Sequence, residues 1–263
     1  MDILDKIAAA KREETGFRKR VVPERLLEAS PFFSRRMPSF REALSGPSPS
    51  VIGEFKRRSP SKGEINMTAD IRRTASDYRD AGIAAMSVLT DEQFFGGRNS
   101  DLESVAEFLD IPLLRKDFIV DEYQITEAKS IGASAILLIA SMLTMHEVRA
   151  FSQIASSLGM DILFEIHDVH DLEKLNSNIT IIGVNNRNLR TFSVSTSNSA
   201  ALLKYLPDNC IKVAESGFRI PEDVKSLYIA GYDAFLIGET FMGSENPGRK
   251  AAIFMNELKS ITG

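Results

Sequence analysis

From Ser50 onward, short apolar runs alternate with longer amphipathic stretches, the rhythm that parallel βα units require. The apolar runs predict strands over 51–55, 85–89, 113–115, 135–139, 162–165, 179–184, 212–214 and 234–237. Between them, apolar residues at helical spacing predict helices over 70–81, 102–109, 121–131, 144–158, 170–175, 197–205, 221–230 and 247–261. Gly82, Gly132, Gly159 and Gly231 each follow a helical stretch, where a left-handed residue closes the last turn. Eight such alternations predict an α/β fold, a (β/α)8 TIM barrel. A doubly wound sheet carries fewer strands and a glycine fingerprint after the first, whereas Lys56 and Arg57 follow the first strand here.

The first 47 residues break that rhythm. Ile3, Leu4, Ile7 and Ala8 mark one helical stretch, Pro23 opens a second over 24–29, and Ser39 caps a third that ends near Gly46. The expectation is one barrel domain over 1–263, of which 1–47 is an N-terminal helical extension that serves chiefly as a packing cover.

Composition narrows the function. With 32 Lys and Arg against 36 Asp and Glu in 263 residues, the net charge of −4 argues against nucleic acid or an anionic membrane as the main partner. A hydrophobic content of 43% supports a sizeable core. One cysteine, Cys210, excludes an internal disulfide and a cysteine zinc site, and three histidines leave little for a metal centre. The opening MDILDKIAAAKREE lacks the apolar core of a signal peptide, and no uncharged run approaches about eighteen residues, so a cytoplasmic chain is expected.

In a barrel of this kind the active face is built from the C-terminal ends of the strands. Reading those ends gives Glu54 and Lys56, then Arg115, Lys116 and Asp117, then Glu165, then Asn185, Asn186 and Arg187, then Glu215, Ser216 and Gly217, and finally Gly238. Apolar strands have no packing reason to end in charges, so several doing so together point to catalysis. Carboxylates and ammoniums on one rim pull pKa values apart, leaving an ammonium able to donate near neutrality while a carboxylate accepts. The glycine turns in ESG (Glu215 to Gly217) and IGET (Ile237 to Thr240) suit a bound phosphate, and the basic loop 57–63 with Ser59 could fold over it. His167 and His170 read as surface or helix-start residues, because no further His or Cys completes a metal set.

These strings resemble the indole-3-glycerol-phosphate synthases. The matching runs are IGEFKRRSPSKGEI, SVLTDEQFFGG, PLLRKDFIVDEYQITEAKSIGASAILLIASML, FEIHD, IGVNNRNL, VAESGF and FLIGETFM, in order over nearly the whole chain. The resemblance implies a metal-free, cofactor-free ring closure of 1-(2-carboxyphenylamino)-1-deoxyribulose 5-phosphate to indole-3-glycerol phosphate, with loss of carbon dioxide and water. It makes Lys116 the general acid and Glu165 the base for dehydration, with Glu54 and Lys56 as a second pair. It gives Asn185 and Arg187 the sugar hydroxyls and the anthranilate carboxylate, Glu215 the positioning of polar groups, and Phe118 the anthranilate ring. Ser59, Ser216, Gly217, Gly238 and the backbone of Glu239 would cradle the phosphate. Arg98 stands where serine often follows FFGG, and Glu239 where a small polar residue commonly follows the last strand. The expected partner is a phosphorylated small molecule bound by a monomer. The rival readings are phosphoribosylanthranilate isomerase, a Schiff-base aldolase using Lys116, and a non-catalytic ligand-binding barrel.

Overall fold

The structure is a computed structural model that describes residues 3–188 and 192–262. Leu189, the last residue of the IGVNNRNL run, lies outside the described residues, as do Met1 and Asp2. Eight strands form the centre: β1 (Ser50–Phe55), β2 (Ala85–Leu89), β3 (Leu113–Lys116), β4 (Ala135–Ile139), β5 (Asp161–Ile166), β6 (Ile181–Asn185), β7 (Ile211–Glu215) and β8 (Ala234–Ile237). All pair in parallel, and β8 pairs with β1 to close the barrel.

The alternation of a β-strand divides each run between two cores. Ile52, Leu114, Leu137, Leu163, Val213 and Leu236 belong to one buried cluster, which fills the barrel. Val51, Val88, Leu113, Ile136, Phe164 and Phe235 belong to another, shared with the surrounding helices. That second cluster explains why the strands read as nearly continuous apolar runs: both faces are covered.

The helices are α1 (Ile3–Val21), α2 (Glu24–Glu28), α3 (Phe40–Leu44), α4 (Ile71–Asp80), α5 (Glu92–Phe95), α6 (Asn99–Ala106), α7 (Tyr123–Ser130) and α8 (Met145–Ser157). After them come α9 (Ser197–Leu202), α10 (Pro221–Ala230), α11 (Glu239–Met242) and α12 (Pro247–Thr262). The predicted helix over 170–175 is instead a 3₁₀ segment, Val169–Lys174. Asp168 caps it, while the Asp171 carboxylate turns back to accept the His167 and Asp168 N–H groups, tightening a stretch too short for a stable α-helix. Similarly, 197–205 divides into α9 and a 3₁₀ turn, Leu203–Tyr205.

Before the barrel begins, the extension does two different jobs. Ser39 accepts the Glu42 N–H to start α3, and the Arg41 N–H donates to Asp161 at the first residue of β5, so α3 lies at the N-terminal end of the strands. There Phe40 and Leu44, both fully buried, join the interior cluster as its floor. Helix α1 lies at the opposite, C-terminal end, where Ile3, Leu4 and Ile7 line a cavity with Phe95 and Phe118.

Candidate active site

Period-two alternation also decides which strand-end residues face inward. Glu54, Lys116, Glu165, Asn185 and Glu215 continue the series of barrel-filling positions on β1, β3, β5, β6 and β7; the first four line one cavity at the C-terminal mouth, and the fully buried Glu215 pairs with Lys116. Lys116 is its hub. Its Nζ stands 2.9 Å from Glu215 Oε2, 3.6 Å from Glu54 Oε2 and 3.9 Å from Glu165 Oε2. Lys56 pairs with the other oxygen of Glu54. Asn185 hydrogen-bonds Glu165 and accepts the Arg187 N–H at 2.9 Å.

Two glycines make this crowding feasible. A Cβ on Gly183, in β6, would lie 2.2 Å from Glu215 Oε1, and one on Gly238 would lie 2.2 Å from Glu54 Oε1. Both positions hold glycine because a catalytic-face carboxylate occupies the space a side chain would need.

Arg115 departs from the expected rim. It points to the other face of β3, fully buried, where its guanidinium meets Glu127, Asp117, Thr90 and the Gln124 carbonyl. Adjacent residues on a strand face opposite ways, so only Lys116 of the pair reaches the mouth.

The electrostatics sort the carboxylates. Burial pushes Glu215 up to about 7, with Glu165 and Glu54 adding to the rise and Lys116 opposing it. Burial likewise raises Glu165, against the pull of Lys116 and Asn185. Glu54 is different: burial would raise it, but Lys56 and Lys116 together hold it below its usual value. For Lys116, burial would lower the pKa, and Glu215, Glu54 and Glu165 outweigh it. The expectation from sequence was an ammonium able to donate near neutrality while a carboxylate accepts; the three carboxylates raise the Lys116 pKa and favour its ammonium form.

Phe118, Arg187, Ser216, Gly217, Gly238 and Glu239 line the same cavity. Ser59 does not; it lies in the smaller adjoining cavity beside Ser61, with α1 and Phe118. Ser216 adopts φ 70° and Gly217 φ 95°, a tight left-handed turn directly after Glu215. The Glu239 carboxylate spans two loops, 3.2 Å from Lys62 and 3.3 Å from Arg187. Arg98 is exposed at the start of α6.

Two neighbours, Arg219 and Lys11, escaped the sequence reading, and His167 was read there only as a surface or helix-start residue. Arg219 lines the cavity just beyond the ESG turn. His167 puts Nε2 3.6 Å from Glu165 Oε1, and burial lowers its pKa. Its position, two residues past Glu165 on the same strand face, was the available signal. Lys11 of α1 reaches the loops after β2 and β3, and nothing in a charged N-terminal stretch marks it as buried. Among the described residues, no group of three or more His, Cys, Asp or Glu is arranged to hold a metal ion.

Comparison with known proteins gives the chain a family. The family model for indole-3-glycerol phosphate synthase matches residues 4–253. The indole-3-glycerol phosphate synthase of Bacteroides thetaiotaomicron is 42% identical over 258 residues, 98% of this chain and 99% of that protein. That of Thermoanaerobacter pseudethanolicus is 42% identical over 260 residues, 98% of each. Solved structures with TM-scores of 0.59 and 0.61 include the tryptophan synthase complex and the thiamine phosphate pyrophosphorylase of Pyrococcus furiosus. The first covers 80% of this chain and 98% of its own at 15% identity, the second 86% and 100% at 11%, and they speak to the fold alone. The sequence likeness goes further: matched from end to end at such identity, the chain belongs to the indole-3-glycerol phosphate synthase family.

Proposed function

We propose that the protein closes the indole ring of indole-3-glycerol phosphate from 1-(2-carboxyphenylamino)-1-deoxyribulose 5-phosphate, releasing carbon dioxide and water. The observation that carries this reading is a protonated Lys116 ringed by Glu54, Glu165 and Glu215 from three separate strands.

Ring closure needs the ring carbon bearing the carboxylate to attack the ribulose carbonyl. Lys116 donates its proton to the carbonyl oxygen as that oxygen gains charge, so the new carbon–carbon bond leaves a neutral hydroxyl. Loss of carbon dioxide returns its bonding pair to the ring and restores aromaticity. The hydroxyl then departs as water with a proton from an ammonium on the rim, and Glu165 takes the proton from the neighbouring carbon to complete the indole. A carboxylate whose pKa burial has raised is the better base for that step. The Glu54–Lys56 pair lies beside the ribulose oxygens, and Asn185 steadies Glu165.

Placing the substrate supports the same assignment. The sugar phosphate fits the side of the cavity formed by Ser216, Gly217, Gly238 and the backbone of Glu239, with Arg219 at its edge. The aromatic ring fits against Phe118 and Phe95, and Arg187 faces its carboxylate. Held at both ends, the flexible ribulose is folded into an attack geometry it rarely visits in solution. A Schiff-base aldolase, by contrast, needs Lys116 as a neutral amine, and three carboxylates oppose that form.

Membership of a biosynthetic family supports the cytoplasm as its compartment. The test is direct. With no tryptophan in the sequence, product indole fluorescence appears without tryptophan background when purified protein meets the carboxyphenylamino substrate. Absence of that signal, or a borohydride-trapped adduct on Lys116, would overturn the assignment.

A further inference from the structure

Lys11 lies on the inward face of α1 and is 2% exposed. Its Nζ pairs with Asp91 Oδ2 at 2.8 Å, Asp117 Oδ1 at 3.0 Å and Glu14 Oε2 at 2.8 Å. Asp91 follows β2 and Asp117 follows β3, and both are buried. One ammonium from the extension thus holds together two loops of the catalytic mouth.

Each aspartate also sets part of the site. Asp91 Oδ1 accepts the N–H groups of Phe94, at 2.6 Å, and Phe95, at 3.2 Å, which starts α5. Asp117 Oδ1 accepts the Phe118 N–H at 2.8 Å, while its Oδ2 takes Thr90 Oγ1 at 2.7 Å and Arg115 at 3.1 Å. The rings of Phe95 and Phe118 meet at 5.9 Å, and both line the main cavity and the adjoining one. Lys116 directly precedes Asp117. Buried ion pairs are poor sources of stability, because desolvation consumes most of the Coulombic gain. Such a cluster calls for a role besides stability.

We infer that Lys11 is a positioning residue for the reaction: by clamping Asp91 to Asp117 it sets Phe95 and Phe118 as the aromatic wall and fixes the backbone that carries Lys116. The inference rests on the proposed reaction for the identity of the ring that the wall receives. Lys11 itself touches neither substrate nor reacting atoms. Removing its charge releases the loops after β2 and β3 relative to each other, and the aromatic end of the substrate loses its seat while the phosphate end keeps its own.

The test uses Lys11→Met and the double variant Lys11→Met/Asp91→Asn. The second removes the unpaired buried anion yet keeps an N-cap acceptor, so it folds even where the first does not. The probes are anthranilate, followed by its own fluorescence, and inorganic phosphate, each binding the full-length protein. In the folded variants anthranilate affinity falls by about tenfold and substrate KM rises by a similar factor, while phosphate affinity stays within about twofold. Unchanged anthranilate affinity and KM, with only the melting temperature lowered, would reduce Lys11 to a structural tether and overturn the inference. Anthranilate binding is read without turnover, so a failure of the proposed reaction and a failure of the clamp register in different assays.

Discussion

At the scale of single residues, Lys116 concentrates the proposed chemistry, because it contacts Glu54, Glu165 and Glu215 together. Lys116→Ala is expected to lower turnover by about 10²–10⁴-fold, the usual range for a lost general acid. Inorganic phosphate, whose proposed seat is the turns after β7 and β8, should compete as before; turnover near that of the parent would remove the acid from Lys116. Glu215 offers a second test through pH. Its pKa rises from 4.5 in the unfolded chain to about 7 in the folded one. Between those values the folded state holds more protons than the unfolded state, so stability declines as pH rises through the window. The contribution is complete below the unfolded pKa and gone above the folded one, and Glu165 acts in the same sense. Glu215→Gln cannot lose that proton. Its melting temperature should fall less than the parent's between about pH 5 and pH 8, and parallel curves would contradict the raised pKa.

At the scale of elements, the strands were legible because burial on both faces writes an apolar run that turn residues bound clearly. Alternation within those runs also held a finer message. It separates Lys116, which faces the mouth, from Arg115, which faces Glu127 and Asp117, although both look alike at the end of one strand. The 3₁₀ segment Val169–Lys174 was less legible, since a short polar stretch carries no period and its geometry follows from Asp168 and Asp171 turning back on the backbone. Lys11 was invisible for another reason: its burial depends on aspartates about eighty and a hundred positions away that only the closed barrel brings near. Gly183 shows how a residue without a side chain shapes the site. Gly183→Ala drives a methyl into Glu215 and shifts that carboxylate from Lys116. Turnover should fall by on the order of 10²-fold, since displacement of about 1 Å is enough for that loss. A variant with an intact melting curve and normal kcat would show that β6 yields instead.

At the scale of the whole molecule, the two ends of the barrel divide stability from catalysis, and the extension serves both. Phe40 and Leu44 close the floor, where their side chains meet the interior cluster, whereas Ile3, Leu4, Ile7 and Lys11 border the mouth. A packing cover was the reading of those residues from sequence, since helical spacing records only that a face is buried, not which end of a barrel it meets. Separating the two roles requires a substitution at the floor alone. Leu44→Ala leaves a cavity in a fully buried site and should cost about 2–5 kcal/mol in urea unfolding. Because the packed barrel interior, including Leu114 two residues before Lys116 on β3, lies between the floor and the mouth, KM and kcat of the folded enzyme should remain those of the parent. The Lys11 variants reverse the pattern, changing KM and anthranilate affinity out of proportion to stability. Should Leu44→Ala raise KM as the Lys11 variants do, the floor and the mouth would be mechanically coupled through the strands, and the extension would act as a single unit rather than as two separate supports.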